Sequence, residues 1–268
     1  MQELHPNSIK NYISTCEVMK MDIKENITIT RKEFEKSFLD ESYYKKQTLD
    51  DKHLNLLLTL AAPKNSDTIL DLGTGTGYVA FALAKQNNSL NITGLDIVAK
   101  TLERNKELAS GMNLNNLNFI SYDGISFPFP DECMDIIITR YAMHHFPNIQ
   151  EIFKEIYRVL KPKGKLVIAD PTPNSNDNIR FVDNFMKIKP DGHIKFYTLE
   201  QYKELGENYG FKFISNNSST IRFPRKQPND YISLISKTDT SIISDYDVKI
   251  IDEEIWITEQ VLNMVFEK

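Results

Sequence analysis

Two hydrophobic periods alternate along the middle of the chain. Short apolar runs rich in Ile, Leu and Val are separated by longer segments whose apolar residues repeat at helical spacing. Apolar runs of this length are typical of strands buried on both faces of a parallel sheet. The pattern predicts five strands, at Thr68–Leu72, Asn91–Asp96, Leu117–Tyr122, Met134–Thr139 and Lys165–Asp170.

Helices are predicted between these strands. Residues 77–86 and 98–112 have helical spacing, and Gly111 closes the second segment. A third helix is predicted from Ile149 to Leu160, where the apolar residues share one stripe. Strands that alternate with helices in this way are typical of an α/β fold. We therefore predict a doubly wound, Rossmann-like sheet that is mostly parallel, with right-handed connections.

The two ends of the chain follow other patterns. Residues 1–62 are polar and look helical, which predicts an N-terminal helical cap or lid on a domain spanning residues 63–268. Thr198 and Gln201 have the spacing of a capping box and start a further helix that Gly210 ends. Beyond it, weak alternation and a β-rich segment at 253–268 predict late strands that pair antiparallel at the sheet edge.

The segment 171–197 has no clear period and begins with turn-forming Pro, Asn and Asp residues. A long irregular segment within a compact domain is often a functional loop. We interpret it as a substrate-binding element, with a solvated insertion as the alternative.

Composition narrows the class of protein. The chain has 268 residues, of which 41% are hydrophobic and 26% charged, as in soluble globular proteins. The net charge of -5, without a basic run, argues against nucleic acid as a partner. No signal peptide and no membrane span are expected, and the distant Cys16 and Cys133 are expected as free thiols. We expect a cytoplasmic protein, and the sequence does not indicate its oligomeric state.

The stretch "ILDLGTGTGYVAFALA", residues 69–84, carries the main chemical signal. It predicts a strand, a turn containing Gly73, Gly75 and Gly77, and a helix. Gly75, Gly77 and Ala80 also fit the G-x-G-x-x-A pattern of dinucleotide-binding turns, and Asp96 lies at the expected distance for a ribose contact.

Asp71 argues against a dinucleotide, because it ends the strand beside the turn. A carboxylate there repels a pyrophosphate by roughly 1–4 kcal/mol at 4 Å, depending on the dielectric. S-adenosylmethionine has no phosphate but has an ammonium, a ribose diol and an adenine amino group. Asp71, Asp96 and Asp123 follow three successive strands and suit these three groups, since ligands of open α/β sheets bind at the carboxyl ends of strands.

At this point the chain resembles a known family. "ILDLGTGTG", "GLD", "YDGISFPFPDECMDII", "RYAMHHF" and "EIFKEIYRVLKPKGKLVIAD" are similar to successive motifs of class I S-adenosylmethionine (SAM)-dependent methyltransferases, over roughly residues 66–215. The branch it resembles is the small-molecule type related to the quinone-biosynthesis C-methyltransferases. The resemblance implies SAM as cofactor and a small-molecule methyl acceptor.

The resemblance also implies a role for each matching position. Asp71, Gly73, Gly75 and Gly77 would line the methionine side, Asp96 would bind the ribose, Ile97 would pack on the adenine, Asp123 and Gly124 would hold its amino edge, and Arg140 would close the pocket. Tyr122 departs from the family, which often has a small residue there, and either crowds the adenine end or points away.

His145, in "RYAMHHF", stands where relatives often carry a histidine. We interpret it as a base or as a substrate-orienting residue, with a backbone-bonded structural histidine as the alternative. His144 is expected to point outward. Tyr44, Tyr141 and His193 are further candidates on the substrate side. Adjacent histidines lack the spacing of a helical metal pair, so no metal is expected.

Three functions stay open on the sequence. The sequence after the fourth strand is Thr139-Arg140-Tyr141-Ala142, and the absence of Asn-Pro-Pro-Tyr there argues against methylation of nucleic-acid bases. A small-molecule methyltransferase is the first interpretation. A SAM-binding regulatory or scaffold protein without turnover is the alternative, and an NAD-dependent oxidoreductase is a remote one. Tyr157 and Lys161 match the Tyr-x-x-x-Lys of short-chain dehydrogenases, but they end an amphipathic helix.

Overall fold

The structure is a computed structural model that describes residues 23–38, 51–226 and 228–268. Cys16 and Tyr44, both named above, lie outside the described residues. The first described element is a helix over residues 23–38, labelled α1. The further elements, in chain order, are α2 (Asp51–Ala61), β1 (Thr68–Leu72), α3 (Tyr78–Gln86), β2 (Asn91–Asp96), α4 (Ala99–Gly111), β3 (Leu117–Ser121), β4 (Met134–Arg140), a 3-10 turn (Met143–His145), α5 (Ile149–Val159), β5 (Leu160–Thr172), α6 (Phe181–Lys187), α7 (Leu199–Asn208), β6 (Lys212–Arg225), α8 (Pro228–Ser236), α9 (Thr240–Asp245), β7 (Lys249–Ile251) and β8 (Glu254–Glu267).

The described residues form one eight-stranded sheet, in the order β3-β2-β1-β4-β5-β8-β6, with β7 paired to β8. Strands β1 to β5 are parallel to one another, whereas β8 runs antiparallel to β5 and β6. This confirms the predicted mostly parallel, Rossmann-like sheet with late antiparallel strands. Strand β1 lies between β2 and β4, so the strand order reverses beside it. In open α/β sheets such a reversal, at the carboxyl ends of the strands, is where ligands bind.

Both faces of the sheet are covered by helices, as the apolar strands require. On one face α5 presents Ile149, Ile152, Phe153, Ile156 and Val159, the predicted stripe, and all five are buried. On the other face, apolar residues of α2, α3 and α4 pack on β1 and β4. The parallel strands therefore have two apolar faces, and their polar chemistry is confined to the strand ends.

The segment 171–197 was predicted to be irregular, but the structure shows a helix within it. It contains α6, whose side chains Phe181, Val182 and Phe185 are fully buried in a third apolar cluster against β8. This part of the segment is therefore packed into the domain, and the role of residues 171–197 as a substrate-binding element stays a prediction. A seven-residue helix is too short to show a period, and its burial depends on strands that follow much later in the chain.

Thr198 and Gln201 form the predicted capping box at the start of α7. Within the part of the chain that the structure describes, no helix is long and apolar enough to cross a membrane.

Two glycine variants test the packing beneath the turn. Gly94 in β2 is buried, and a Cβ atom there would lie 2.6 Å from the Phe119 ring and 2.8 Å from Thr74 Oγ1. Gly94→Ala should therefore lower the free energy of unfolding by about 1–3 kcal/mol, as overpacked cores do. Urea unfolding followed by circular dichroism measures the change.

Gly111 is the matched control. A Cβ atom at this exposed position in α4 meets nothing within 4 Å. Gly111→Ala should leave the free energy of unfolding unchanged or raise it by up to about 1 kcal/mol, since alanine reduces the entropy of the unfolded chain. Equal stabilities for the two variants would contradict the packing around Gly94.

Candidate functional site

The glycine turn between β1 and α3 requires its glycines for two separate reasons. Gly73, Gly75 and Gly77 have φ of +71°, +50° and +79°, a left-handed conformation that favours glycine. A Cβ atom on Gly73 would also lie 2.6 Å from the Cβ atom of Ala142, so the loop after β4 approaches the bare backbone. The turn therefore brings the ends of β1 and β4 together.

The amide groups of this turn are already bonded within the protein. Gly73 N–H and Thr74 N–H donate to the carbonyl of Leu95, at 2.8 and 3.1 Å, and Gly77 N–H donates to the carbonyl of Thr74 at 2.8 Å. Gly75 N–H donates to Asp96 Oδ2 at 2.8 Å. A phosphate-binding turn presents such amides to its ligand. Here these four are engaged, which fits a cofactor without phosphate better than a dinucleotide.

Asp71 is a residue of β1, and its carboxylate lies at the N-terminus of α3. Its Oδ2 accepts hydrogen bonds from Thr74 Oγ1 at 2.6 Å and from Ala80 N–H at 3.2 Å. A carboxylate at a helix N-terminus is stabilised by the helix dipole, so the protein supplies its own anion there. Burial raises the pKa of Asp71 to about 6, although both hydrogen bonds oppose the rise. Asp71 is not among the cavity-lining residues, and its predicted effect on an ammonium group stays a prediction.

A cavity of about 160 Å³ opens at the carboxyl ends of β1, β2 and β4. It brings together eight of the predicted site residues: Gly73, Gly75, Asp96, Ile97, Gly124, Arg140, Tyr141 and His145. Four others, Asp71, Gly77, Asp123 and His193, are not part of its lining. The predicted cofactor and acceptor sides therefore share one continuous space.

Asp96 lies at the end of β2 with both carboxylate oxygens facing backbone amides. Oδ2 accepts from Gly75 N–H and Oδ1 accepts from Val98 N–H at 3.0 Å. Burial raises its pKa, and these backbone hydrogen bonds oppose the rise. A carboxylate has about four lone-pair positions. Asp96 therefore keeps acceptor capacity for a ribose diol while it fixes the glycine turn.

An apolar slot lies beside Asp96. Ile97, Tyr122 and Gly124 line it, and the Tyr122 ring is buried in an edge-to-face contact with Phe127 at 5.7 Å. Tyr122 therefore lies along the cavity and does not point away. Asp123 is exposed, and its Oδ1 accepts hydrogen bonds from the amides at positions 125 and 126. Its predicted contact with the adenine amino group stays a prediction.

Helix α1 covers the cavity. A Cβ atom on Gly75 would lie 3.2 Å from the Phe38 ring, and one on Gly124 would lie 3.0 Å from Ile27. Arg31 Nε–H donates to the carbonyl of Ile97 at 3.0 Å. The helix thus touches both the glycine turn and the apolar slot. The sequence predicted a helical cap but did not indicate which of its side chains face the site.

Arg140 ends β4 and brings a positive charge to the cavity. Its guanidinium lies 4.1 Å from the centre of the Tyr141 ring and 4.9 Å from that of Tyr78. Tyr141 itself has φ of +55°, a conformation that costs a non-glycine residue about 1–3 kcal/mol. Strain of this kind persists only where the surroundings hold the residue in place.

His145 lines the cavity from the 3-10 turn that follows β4. Its ring makes an edge-to-face contact with Phe34 of α1 at 4.8 Å, and its Nδ1 is buried without a hydrogen-bond partner. Burial, and then the neighbouring His144, hold the pKa of His145 well below 6.5. His145 is therefore neutral near pH 7, and its buried Nδ1 has no hydrogen-bond partner among the described residues.

His144 and His193 are buried behind His145, and the expected outward position of His144 is wrong. His144 Nδ1 lies 2.9 Å from Oδ1 of Asp170, whose other oxygen accepts from Tyr202 Oη at 3.0 Å. His193 Nε2 lies 2.9 Å from Asp183 Oδ1. The carboxylates lie 26 residues from His144 and 10 residues from His193, which exceeds the spacing within one helical or strand pattern.

His53 was missed by the sequence interpretation. It is buried on α2, and its ring stacks on Tyr141 with 5.3 Å between the ring centres. Its Nδ1 accepts from Arg140 Nε–H at 3.2 Å. The available signal was a histidine on the apolar stripe of α2, four residues before the buried Leu57.

The chain is similar in sequence and in fold to known methyltransferases. A family model described as "Methyltransferase domain" matches residues 63–209. The uncharacterized methyltransferase YcgJ of Bacillus subtilis is 27% identical over 157 residues, which cover 58% of this chain and 61% of that protein. A demethylmenaquinone methyltransferase of Lactobacillus johnsonii is 33% identical over 156 residues, covering 57% of this chain and 64% of that protein. The match thus spans less than two thirds of both curated relatives.

Solved structures agree in fold. The crystal structure of YcgJ from Bacillus subtilis has a TM-score of 0.70 at 20% identity and covers 80% of this chain and 97% of that one. The [4+2]-cyclase SpnF has a TM-score of 0.58 at 19% identity and covers 81% of this chain and 80% of that one. From the family match and this fold, we conclude that the chain belongs to the class I, S-adenosylmethionine-dependent methyltransferases and is related to those of quinone biosynthesis.

Proposed function

We propose that this chain transfers the methyl group of S-adenosylmethionine to a small-molecule acceptor. The observation that carries the proposal is the position of α1, which covers the cavity at both ends. Phe38 lies against the glycine turn, and Phe34 lies against His145. An acceptor must fit beneath this helix, which suits a small molecule and disfavours a nucleic acid or a folded protein.

The cavity residues suit the cofactor from end to end. Asp96 would accept the ribose hydroxyls, and Ile97 and Tyr122 would pack on the adenine. Arg140 would pair with the carboxylate of the methionine part, because guanidinium matches carboxylate geometry. When bound, the cofactor supplies an electrophilic methyl group on a positively charged sulfur. The chain's own contribution is to orient the reactants and to exclude water.

His145 is our candidate for the residue that meets the acceptor. Its ring lines the cavity and is neutral, and a neutral imidazole has one nitrogen that can accept a hydrogen bond from an O–H or N–H nucleophile. It would thereby orient the attacking atom, or take its proton where the acceptor is weakly acidic. Tyr141 lines the same cavity and remains a candidate for substrate contact.

Two alternative functions predict different experimental results from the proposed methyl transfer. A SAM-binding protein without turnover would bind the cofactor and methylate nothing, and fold alone does not decide between the two. An NAD-dependent oxidoreductase would bind NADH, which the engaged amides of the glycine turn disfavour. The deciding experiment incubates the chain with SAM and a panel of phenols, quinols and small amines. Mass spectrometry of the methylated product then separates turnover from binding.

Cofactor choice gives the next prediction. S-adenosylhomocysteine should bind in isothermal calorimetry, and NADH should not. Asp96→Ala should weaken S-adenosylhomocysteine binding by about 5- to 150-fold, because lost hydrogen bonds to a buried diol cost about 1–3 kcal/mol. Asp67→Ala is the control, since Asp67 lies at the opposite end of β1 and accepts a hydrogen bond from Lys64 N–H. NADH binding without S-adenosylhomocysteine binding would overturn the cofactor assignment.

The pH dependence of turnover tests His145. The neutral form accepts the hydrogen bond, so activity should fall when His145 is protonated as the pH drops. Since burial lowers its pKa well below 6.5, activity should stay level from pH 9 down to 6.5 and fall only in more acid solution. The rate of methyl transfer is measured against pH for the wild-type protein and for His145→Asn.

His145→Asn keeps a hydrogen-bonding group but cannot titrate. It should reduce kcat by about 10²-fold or more, as loss of a positioned acid–base group does, and it should remove the acid limb. S-adenosylhomocysteine affinity should stay within about twofold, because His145 faces the acceptor. A variant with the wild-type rate and the wild-type pH profile would make His145 a structural residue.

A further inference from the structure

Residues 189–194 lie between α1 and the 3-10 turn after β4. On the α1 side, Gly192 has φ of +80°, and a Cβ atom on it would collide with the Thr30 side chain. On the other side, Ile194 N–H donates to the carbonyl of His144 at 2.9 Å. This stretch therefore contacts both the helix that covers the cavity and the turn that brings a histidine to it.

Asp191 places a buried carboxylate in this stretch. Only 3% of the residue is exposed, and its Oδ2 lies 3.1 Å from Lys189 Nζ. Its Oδ1 is buried without a hydrogen-bond partner among the described residues. A buried carboxylate is retained only where opposite charge or hydrogen bonds offset its lost hydration. Lys189 supplies part of that compensation, at one of the two oxygens.

His145 is strongly coupled to this carboxylate. The Lys189 ammonium lies 5.6 Å from the centre of the Phe34 ring, which contacts the His145 ring with 4.8 Å between centres. Burial raises the pKa of Asp191, but nearby charges bring it below its usual value. Among the described residues, the largest of these charges is that of His145, ahead of Lys189 and Arg225. Asp191 is therefore ionised near pH 7 and acts on the ring of His145.

Asp191 has a distinct place among the groups around His145. The charged or titratable ones are His144 on the same turn, Asp170 on β5, Lys189, Asp191 and His193 on the 171–197 segment, and Arg140 on the cavity wall, while α1 contributes the uncharged Phe34. Burial and then His144 lower the pKa of His145, and among the described residues Asp191 opposes them most. Asp170 opposes them too, but burial raises its own pKa to about 7, so it is only partly ionised there. Asp191 therefore offers His145 a full negative charge at neutral pH.

We propose that Asp191 is a positioning residue for His145, whose buried carboxylate stabilises the positive charge that the ring gains when it takes a proton from the acceptor. This rests on the proposed function. In that reaction the acceptor's lone pair forms the bond to the methyl carbon, the carbon–sulfur electron pair stays on sulfur, and the acceptor's proton passes to His145 and later to water. A buried cation without an opposite charge is costly. Asp191 is not part of the cavity lining, so it acts through His145 and not on the acceptor.

The test measures the charge on His145 directly. Nuclear magnetic resonance of isotopically labelled histidine follows the protonation of the five histidines against pH, and His145→Asn identifies the signal of position 145. Asp191→Asn keeps the shape of the side chain and removes its charge. It should lower the measured pKa of His145 by about 1, because a nearby opposite charge raises the pKa of a histidine.

Lys189→Met should have the opposite effect. It keeps an unbranched side chain of similar length and removes the cation beside Asp191. The carboxylate then has one competing positive charge fewer, so the pKa of His145 should rise. A mere loss of packing would let water reach the ring and raise the pKa of His145 in both variants, so shifts of opposite sign identify a charge effect.

Asp177→Asn is the matched control. Asp177 is also buried in the 171–197 segment, but its oxygens accept hydrogen bonds from Phe181 N–H at 2.6 Å and from Val182 N–H at 3.0 Å, in α6. Its replacement should leave the pKa of His145 unchanged. Thermal unfolding shows whether each variant is folded. If Asp191→Asn does not fold, the rise expected for Lys189→Met decides alone.

Turnover gives a second readout once an acceptor is found among the phenols, quinols and small amines. Asp191→Asn should lower kcat by about 3- to 10-fold at neutral pH, since a less basic His145 removes a proton less efficiently. The acid limb of the rate should move toward lower pH, as the pKa of His145 does. S-adenosylhomocysteine affinity should be unchanged, because Asp191 does not line the cavity.

The outcomes separate this inference from the proposed function. The positioning role is overturned by an unchanged pKa of His145 in Asp191→Asn, by shifts of the same sign in Asp191→Asn and Lys189→Met, or by a His145 that stays neutral until the wild-type protein unfolds in acid. The proposed function still stands in these cases if the wild-type protein methylates an acceptor. A wild-type protein that methylates none overturns the function, while the measured pKa values still show whether Asp191 acts on His145.

Discussion

The hydrogen bond from Gly75 N–H to the Asp96 carboxylate is the contact on which the site depends. It ties the turn after β1 to the end of β2, and the Leu95 carbonyl binds two further amides of the same turn. A glycine turn of this shape can hold phosphate only with free amides. Because the protein uses these amides itself, the turn becomes a rigid wall, and Asp96 is fixed with its remaining lone pairs available to a diol.

The same backbone conformation explains how α1 approaches so closely. Gly75, Gly124 and Gly192 all have positive φ, and each faces a side chain of α1. A Cβ atom on Gly192 would lie only 1.8 Å from Thr30 Oγ1. The glycines therefore serve two purposes, since they permit left-handed turns and leave shallow surfaces on which a helix can pack. The helical cover and the cofactor turn are consequently linked through three residues that are distant in sequence.

The sequence predicted the sheet well because burial on both faces leaves a strong local pattern of apolar runs. Eight cavity residues were found for a related reason, since they follow strand ends at fixed positions in a motif. The misses have a common physical cause. His144 and His53 are positioned by Asp170 and Asn263, and α6 is buried by strands that come later, so no local pattern contains these partners. Asp123 and Asp71 were predicted to contact the cofactor, but neither lines the cavity. Their carboxylates accept hydrogen bonds from nearby amides and, for Asp71, from a hydroxyl. A sequence pattern cannot distinguish such an acid from one that faces a ligand.

Burial favours the neutral form of several titratable groups near His145. Burial lowers the pKa values of His144 and His145 and raises those of Asp170 and Glu259, to about 7 and about 8. The ionised carboxylates of this region have cationic neighbours, as Asp183 has with Arg180 and Asp191 with Lys189. Attraction between a cationic sulfur and a nucleophile is strongest where no fixed charge or water competes. In the proposed function, a neutral His145 would add no second positive charge to the one that Arg140 brings to the cavity, so it would not compete with the cationic sulfur for the nucleophile.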